Sequence, residues 1–134
     1  MMEAKSSFFE RLMSDYDMTL DKYGVSGERL AGRLAALSEI GLTPDNGSYR
    51  IGFSREENEA KELVIKWMEE AGLRVTVDGA GNVFGRLEGK NPGLPALLSG
   101  SHVDSVPNGG HFDGPLGVLA ALEVIEAWKQ TGYV

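Results

Sequence analysis

No cysteine occurs anywhere in the 134 residues. That single absence removes disulfides, thiolate metal sites and cysteine nucleophiles, and it fits a reducing, cytoplasmic setting. Histidine is nearly as scarce, with His102 and His111 the only two. Positive charge is also short: 13 Lys+Arg stand against 20 Asp+Glu, for a net charge of −7. Such a surface repels a nucleic-acid backbone and an anionic membrane alike, so neither is expected as a partner. No apolar run reaches the roughly 20 residues needed to span a bilayer, and Met1–Phe9 has no apolar core like that of a secretory signal. What remains is ordinary in bulk. Hydrophobic residues make up 42% and charged residues 25%, the balance of a globular domain able to bury a core. Glycine is the exception, with 18 copies concentrated between Gly72 and Gly117, where turns and close backbone approaches are expected.

Periodicity organises the chain. Phe8, Phe9, Leu12 and Met13 suggest a short amphipathic helix in an N-terminal extension, residues 1–24, which docks on another surface. Ser26 is placed to cap a helix carrying Leu30, Leu34 and Leu37, closed by Gly41 and Pro44. Residues 43–53 read as a loop. Ser54-Arg55-Glu56-Glu57 is a capping box, and Ala60, Leu63, Val64, Trp67, Met68 and Ala71 form one apolar helix face ending at Gly72. Residues 74–78 and 83–87 read as two strands joined through Gly79–Asn82. The run 95–99 is short and apolar without alternation, which predicts a strand covered on both faces. From Gly114 a helix follows with Pro115 in its first turn; Val118, Leu119, Leu122, Val124, Ile125 and Trp128 leave it little polar face, so it is expected to be largely buried. Helices interleaved with strands make this an α/β chain.

The chemistry concentrates between Gly100 and Gly117, a polar, glycine-rich stretch holding both histidines and two aspartates. In open α/β sheets ligands gather beyond the carboxyl ends of strands, and His102 lies three residues past the apolar run. A neutral imidazole there suits zinc, with a carboxylate on its other nitrogen to fix the tautomer. Asp104, two residues on, points to the same side of an extended chain. Asp113 stands where the last helix begins, a position whose partial positive charge favours a carboxylate. Each residue also has a plainer reading. His102 could be a hydrogen-bonded structural histidine, Asp113 a helix cap, Asp104-Ser105 a turn, and His111 a solvent-exposed loop residue. The order is what favours a site: His-x-Asp after a buried run, a glycine-rich loop, then Asp at the mouth of an apolar helix.

Gly100-Ser101-His102-Val103-Asp104-Ser105-Val106, followed by Gly109-Gly110-His111-Phe112-Asp113-Gly114-Pro115-Leu116-Gly117-Val118, resembles the metal-binding signature of the hydantoinase/carbamoylase-type amidases. That branch of the dinuclear-zinc aminoacylase/carboxypeptidase superfamily includes N-carbamoyl-L-amino-acid hydrolases, allantoate amidohydrolases and ureidoglycolate-type relatives. Tyr49–Ser54, Trp67–Leu73 and Asp78–Arg86 are similar to further stretches of the branch, so the resemblance covers residues 25–134. It implies the N-terminal part of a zinc-aminopeptidase-like catalytic domain, a mixed sheet flanked by helices, in a hydrolase of linear C–N bonds other than peptide bonds. It implies two divalent metal ions, zinc or manganese, a small-molecule substrate such as an N-carbamoyl-L-amino acid or allantoate, and a homodimer in the full-length protein. Residue by residue, His102 matches a terminal metal ligand and Asp113 the carboxylate bridging both metals. Asp104 matches the catalytic aspartate that orients the ligand histidine.

The family's Glu-Glu pair, which supplies the general base and a further ligand, has no counterpart before Val134, nor do its later histidines or its lid and dimerisation domain. Glu123 and Glu126 sit on the last helix far from its start, and Glu69-Glu70 reads as a solvated face. The expectation is therefore a partial catalytic domain, inactive alone. An aminoacylase or dipeptidase of the same superfamily, or a non-catalytic remnant with a binding or structural role, are the alternatives.

Overall fold

The computed structural model, which describes residues 7–133, holds four helices and one small antiparallel sheet that packs on the third of them. The order is α1 (Ser7–Met13), a 3-10 turn (Met18–Leu20), α2 (Gly27–Ser38), α3 (Arg55–Glu70), β1 (Arg74–Val77), β2 (Val83–Arg86) and α4 (Pro115–Thr131). Helices and a sheet in alternation bear out the α/β reading.

The caps expected from the sequence form. Ser26 Oγ accepts from the Arg29 amide, and Ser54 Oγ accepts from the Glu57 amide. Glu57 reaches back one residue further than a standard capping box, taking the Phe53 amide rather than that of Ser54. At the far end of α3, the Gly72 amide donates to Glu69 O and the Leu73 amide to Met68 O, the paired bonds of a Schellman stop. The chain then enters the β1–β2 hairpin, with Arg74 opposite Arg86 and Val77 opposite Val83. Asp78 organises its turn by accepting from the Ala80 and Asn82 amides and from Asn82 Nδ2.

Leu34, Leu37, Ala60, Val64, Val103 and Leu119 form the core, with Phe8, Leu12 and Trp67 packed around it. Through Phe8 and Leu12 the N-terminal helix thus docks on this chain's own core. α2 and α4 are pinned by a fork: Arg29 Nε and Nη2 donate to Glu123 at 2.8 and 2.6 Å, and the Ser26 amide adds a bond of 2.7 Å. Arg33 pairs with Glu126 at 2.6 Å beside it.

Two expectations are corrected. Residues 95–99 form no strand: Leu97 is fully exposed and Leu98 84% exposed. No strand among the described residues lies alongside to supply a ladder, so the run is extended backbone without pairing. α4 is also less buried than its composition suggests. Leu119, Leu122 and Ala127 are inside, packed on α2, on α3 and on the residues that follow it, but Val124 and Trp128 lie on an open face.

Glu57 provides a pH handle. Burial pushes its carboxyl up, but Lys61 at 2.7 Å and the Phe53 amide more than offset this and hold it below the ordinary value. A depressed folded value adds stability that is present above the unfolded value of about 4.3 and is lost as pH falls through the folded one. Glu57→Gln should therefore flatten the stability–pH curve on its acid side. Parallel acid limbs for the two proteins in urea titrations would contradict this.

A candidate metal-binding limb beside a glycine-mouthed helix

Three consecutive residues split between core and surface. Val103 turns inward and is buried, while His102 and Asp104, on either side of it, turn outward. The alternation brings the latter two together. His102 Nδ1 lies 3.2 Å from Asp104 Oδ1 and 3.1 Å from the Asp104 carbonyl oxygen. Both are acceptors, so Nδ1 carries the proton and Nε2 keeps its lone pair. The ring is about half exposed, and Nε2 faces no protein partner among the described residues. That is the tautomer a metal-binding imidazole needs.

The His102 ring rests on the mouth of α4. Gly114 has φ +90°, and a Cβ built there would lie 2.5 Å from His102 Cε1, Nδ1 and O. One turn on, a Cβ at Gly117 would come within 2.8 Å of Ser101 Cβ. Glycine at both positions lets the helix start lie against residues 101–102. Asp113 precedes Gly114 and is exposed. It does not cap α4: the N-cap is Gly114, with no side-chain hydrogen bond. The capping alternative for Asp113 therefore falls away.

An open cleft of about 560 Å³ runs between α3, the hairpin and this limb, lined among others by Lys61, Asn82, Phe84, His102 and Asp104. Asp113 is outside that lining. Among the described residues, no three His, Asp or Glu side chains come close enough to hold a metal ion. His102 and Asp104 are thus in contact, His102 adjoins the residue after Asp113, and the donor set is partial.

His111 is not the solvent-exposed loop residue expected. It is half-buried, with Nδ1 2.8 Å from Ser48 Oγ and Nε2 2.7 Å from the Asn46 carbonyl oxygen. The Phe8 ring packs on it at 4.9 Å. Both nitrogens are occupied, which leaves none for a metal. The loop of residues 43–53 supplies these partners, and its role was not apparent from composition. Ser48 and Arg50 are wholly buried. The available signal was the charged Arg50 between Tyr49 and Ile51 in an otherwise polar loop. Burial pulls the Arg50 guanidinium below its ordinary value, and the negative charge of Asp104 opposes the fall.

No protein-family model matches the chain. It is 53% identical over 110 residues to the N-carbamoyl-L-amino acid amidohydrolase of Geobacillus stearothermophilus, covering 82% of this chain and 27% of that one. It is 44% identical over 101 residues to allantoate deiminase 1 of Glycine max, covering 74% of this chain and 21% of the other. The crystal structure of a hydantoinase/carbamoylase family amidase from Burkholderia ambifaria superposes with a TM-score of 0.80 at 38% identity, over 82% of this chain and 27% of that one. The chain therefore spans about a quarter of the length of the relatives it matches. No helix among the described residues is long and apolar enough to cross a membrane.

Proposed function

From this chain's kinship with the hydantoinase/carbamoylase-type amidases, we propose that it supplies part of the catalytic domain of a metal-dependent hydrolase of linear, non-peptide C–N bonds. The substrates are N-carbamoyl-L-amino acids or allantoate and related ureido compounds. The observation that carries the reading is the His102–Asp104 contact. It fixes the proton on Nδ1 and leaves Nε2 open at a cleft large enough for a small molecule.

The residues fit one end of a divalent-metal site. His102 would be a terminal ligand, Asp113 a bridging carboxylate, and Asp104 the group that holds the imidazole in place. Zinc or manganese bound there would polarise a substrate carbonyl and acidify a water. This chain's own contribution is to present one lone pair and one carboxylate and to keep His102 from rotating. Two protein ligands are fewer than the three a catalytic zinc site uses, so the 134 residues alone should bind metal weakly and turn nothing over. The whole enzyme is proposed, on the resemblance, to use two metal ions and to be a homodimer. A cytoplasmic setting is proposed from the lack of cysteine.

The test is a chimera in which residues 25–134 replace the matching stretch of the Geobacillus relative. It should release ammonia from an N-carbamoyl-L-amino acid or from allantoate only when zinc or manganese is supplied, and His102→Ala should abolish that release. A folded chimera that hydrolyses neither substrate class, or one indifferent to His102→Ala, would overturn the reading.

A further inference from the structure

Among the described residues, neither His102 nor Asp104 is hydrogen-bonded to His111 or Asp113. Both limbs that carry these residues are tied to one strap, Ser48–Arg50. On the first limb, Arg50 Nε donates to the Val103 carbonyl at 2.8 Å, between His102 and Asp104. The Arg50 amide donates to Ser105 Oγ at 2.9 Å, and the Ser105 amide returns a bond to Arg50 O at 2.8 Å. On the second limb, Ser48 and Gly109 exchange both backbone bonds at 2.8 Å. Ser48 Oγ then meets His111 Nδ1, two residues before Asp113.

The guanidinium joins the two sides. Arg50 Nη1 donates to Ser48 Oγ at 3.3 Å, and also to the carbonyls of Leu37, in the last turn of α2, and Ile40, just past it, at 3.2 and 3.0 Å. An arginine can only donate, so Ser48 Oγ accepts from it, and its own proton remains for Nδ1 of a neutral His111 ring. Nε2–H of His111 then donates to Asn46 O. The hydrogen bonds run from Arg50 through Ser48 and His111 to Asn46, and the Asn46 carbonyl, which can only accept, fixes the Nε2–H tautomer of His111. No carboxylate is hydrogen-bonded to Arg50, although burying a cation is costly. Capping the end of α2 alone does not require a buried arginine, since glycine or water serves there.

We propose that Arg50 and Ser48 are positioning residues, holding the His102–Asp104 limb and the His111–Asp113 limb in a single register so that one ion can meet Nε2 of His102 and the Asp113 carboxylate. Phe8, packed on His111 and on Phe112 at 5.7 Å, holds the second limb from outside. This rests on the reading of His102 and Asp113 as metal ligands.

The experiment is a zinc titration of the full ¹⁵N-labelled chain, followed by calorimetry and by the ring-nitrogen shifts of both histidines. Outer-shell partners of metal ligands typically contribute about 10- to 100-fold in affinity, and Ser48→Ala should weaken zinc by an amount in that range. His111 should keep Nε2–H on the Asn46 carbonyl but lose its Nδ1 partner, so its Nδ1 resonance should shift. Leu73→Val, in the separate core cluster with Ala71 and Leu122, should lower the melting temperature while leaving zinc affinity unchanged. If Ser48→Ala does not fold, Phe8→Leu takes its place with the same expected direction. If His102→Ala binds zinc as the parent does, the ligand reading fails. If His102→Ala loses zinc but Ser48→Ala keeps both the affinity and the His111 Nδ1 shift, the positioning inference alone is overturned. It is likewise overturned if Leu73→Val weakens zinc as much as Ser48→Ala does.

Discussion

Replacing Glu123 by alanine is expected to cost about 2–3 kcal/mol of folding stability, because it removes a buried carboxylate that accepts charge-assisted hydrogen bonds from a part-buried arginine. Glu123 is 3% exposed and accepts three hydrogen bonds, two from Arg29 and one from the Ser26 amide. Its loss therefore leaves the guanidinium uncompensated and also loosens the cap residue of α2. Against a total of about 5–15 kcal/mol for an ordinary domain, that is a large share. The pair holds α2 to α4, and α4 begins at the glycine on which His102 rests. Its loss should thus reach the site as well. The double variant Arg29→Met/Glu123→Leu should recover most of the stability, since an apolar pair of similar size avoids desolvating two charges. Urea unfolding of the three variants checks this. Glu123→Ala unfolding at the parent's midpoint would show that the fork contributes nothing.

That carboxylate also shows where sequence reasoning stopped. In the sequence Glu123 presents only as a glutamate too far from the start of α4 to serve the site, because an isolated glutamate on an apolar helix gives no sign of its partner. Arg29 lies 94 residues away in sequence, and periodicity carries no information about pairs so far apart. Local signals did better. The caps at Ser26 and Ser54, the glycine after α3 and the hairpin across Gly79–Asn82 all form, because each is decided within one turn of chain. Residues 95–99 misled for the opposite reason. An apolar run becomes a strand only when neighbours supply hydrogen bonds on its edges, and composition cannot report whether they do. The site divides the same way. His102, Val103 and Asp104 alternate about one backbone, so the His–Asp contact was legible from spacing. The strap from Ser48 to Arg50 was not, because its partners lie 53 to 63 residues further on. The resemblance reached the same residues by pattern, and similarity to the Geobacillus and Burkholderia proteins supports the pattern without testing any role.

Gly114→Ala should damage the candidate site more directly than any change short of removing His102 itself. Two costs add at this position. A non-glycine residue at φ +90° is strained by about 1–3 kcal/mol. The new methyl would also overlap the His102 ring and carbonyl at 2.5 Å, and overpacking of that kind costs about 1–3 kcal/mol more. The overlap has a direction. It pushes the imidazole away from α4, off the Asp104 oxygens that hold its Nδ1 proton and away from Asp113. Zinc binding should therefore be lost even at temperatures where the variant is folded. Gly132→Ala separates the two effects. Gly132 also has positive φ, +68°, but nothing lies within 4 Å of a Cβ there, so only the backbone cost applies. The expectation is that Gly132→Ala lowers the melting temperature and binds zinc as the parent does, whereas Gly114→Ala loses both stability and zinc. Equal zinc affinity in the two variants would mean that the glycine at the helix mouth serves chain geometry alone, and that the approach of α4 to His102 has no part in presenting the ligand.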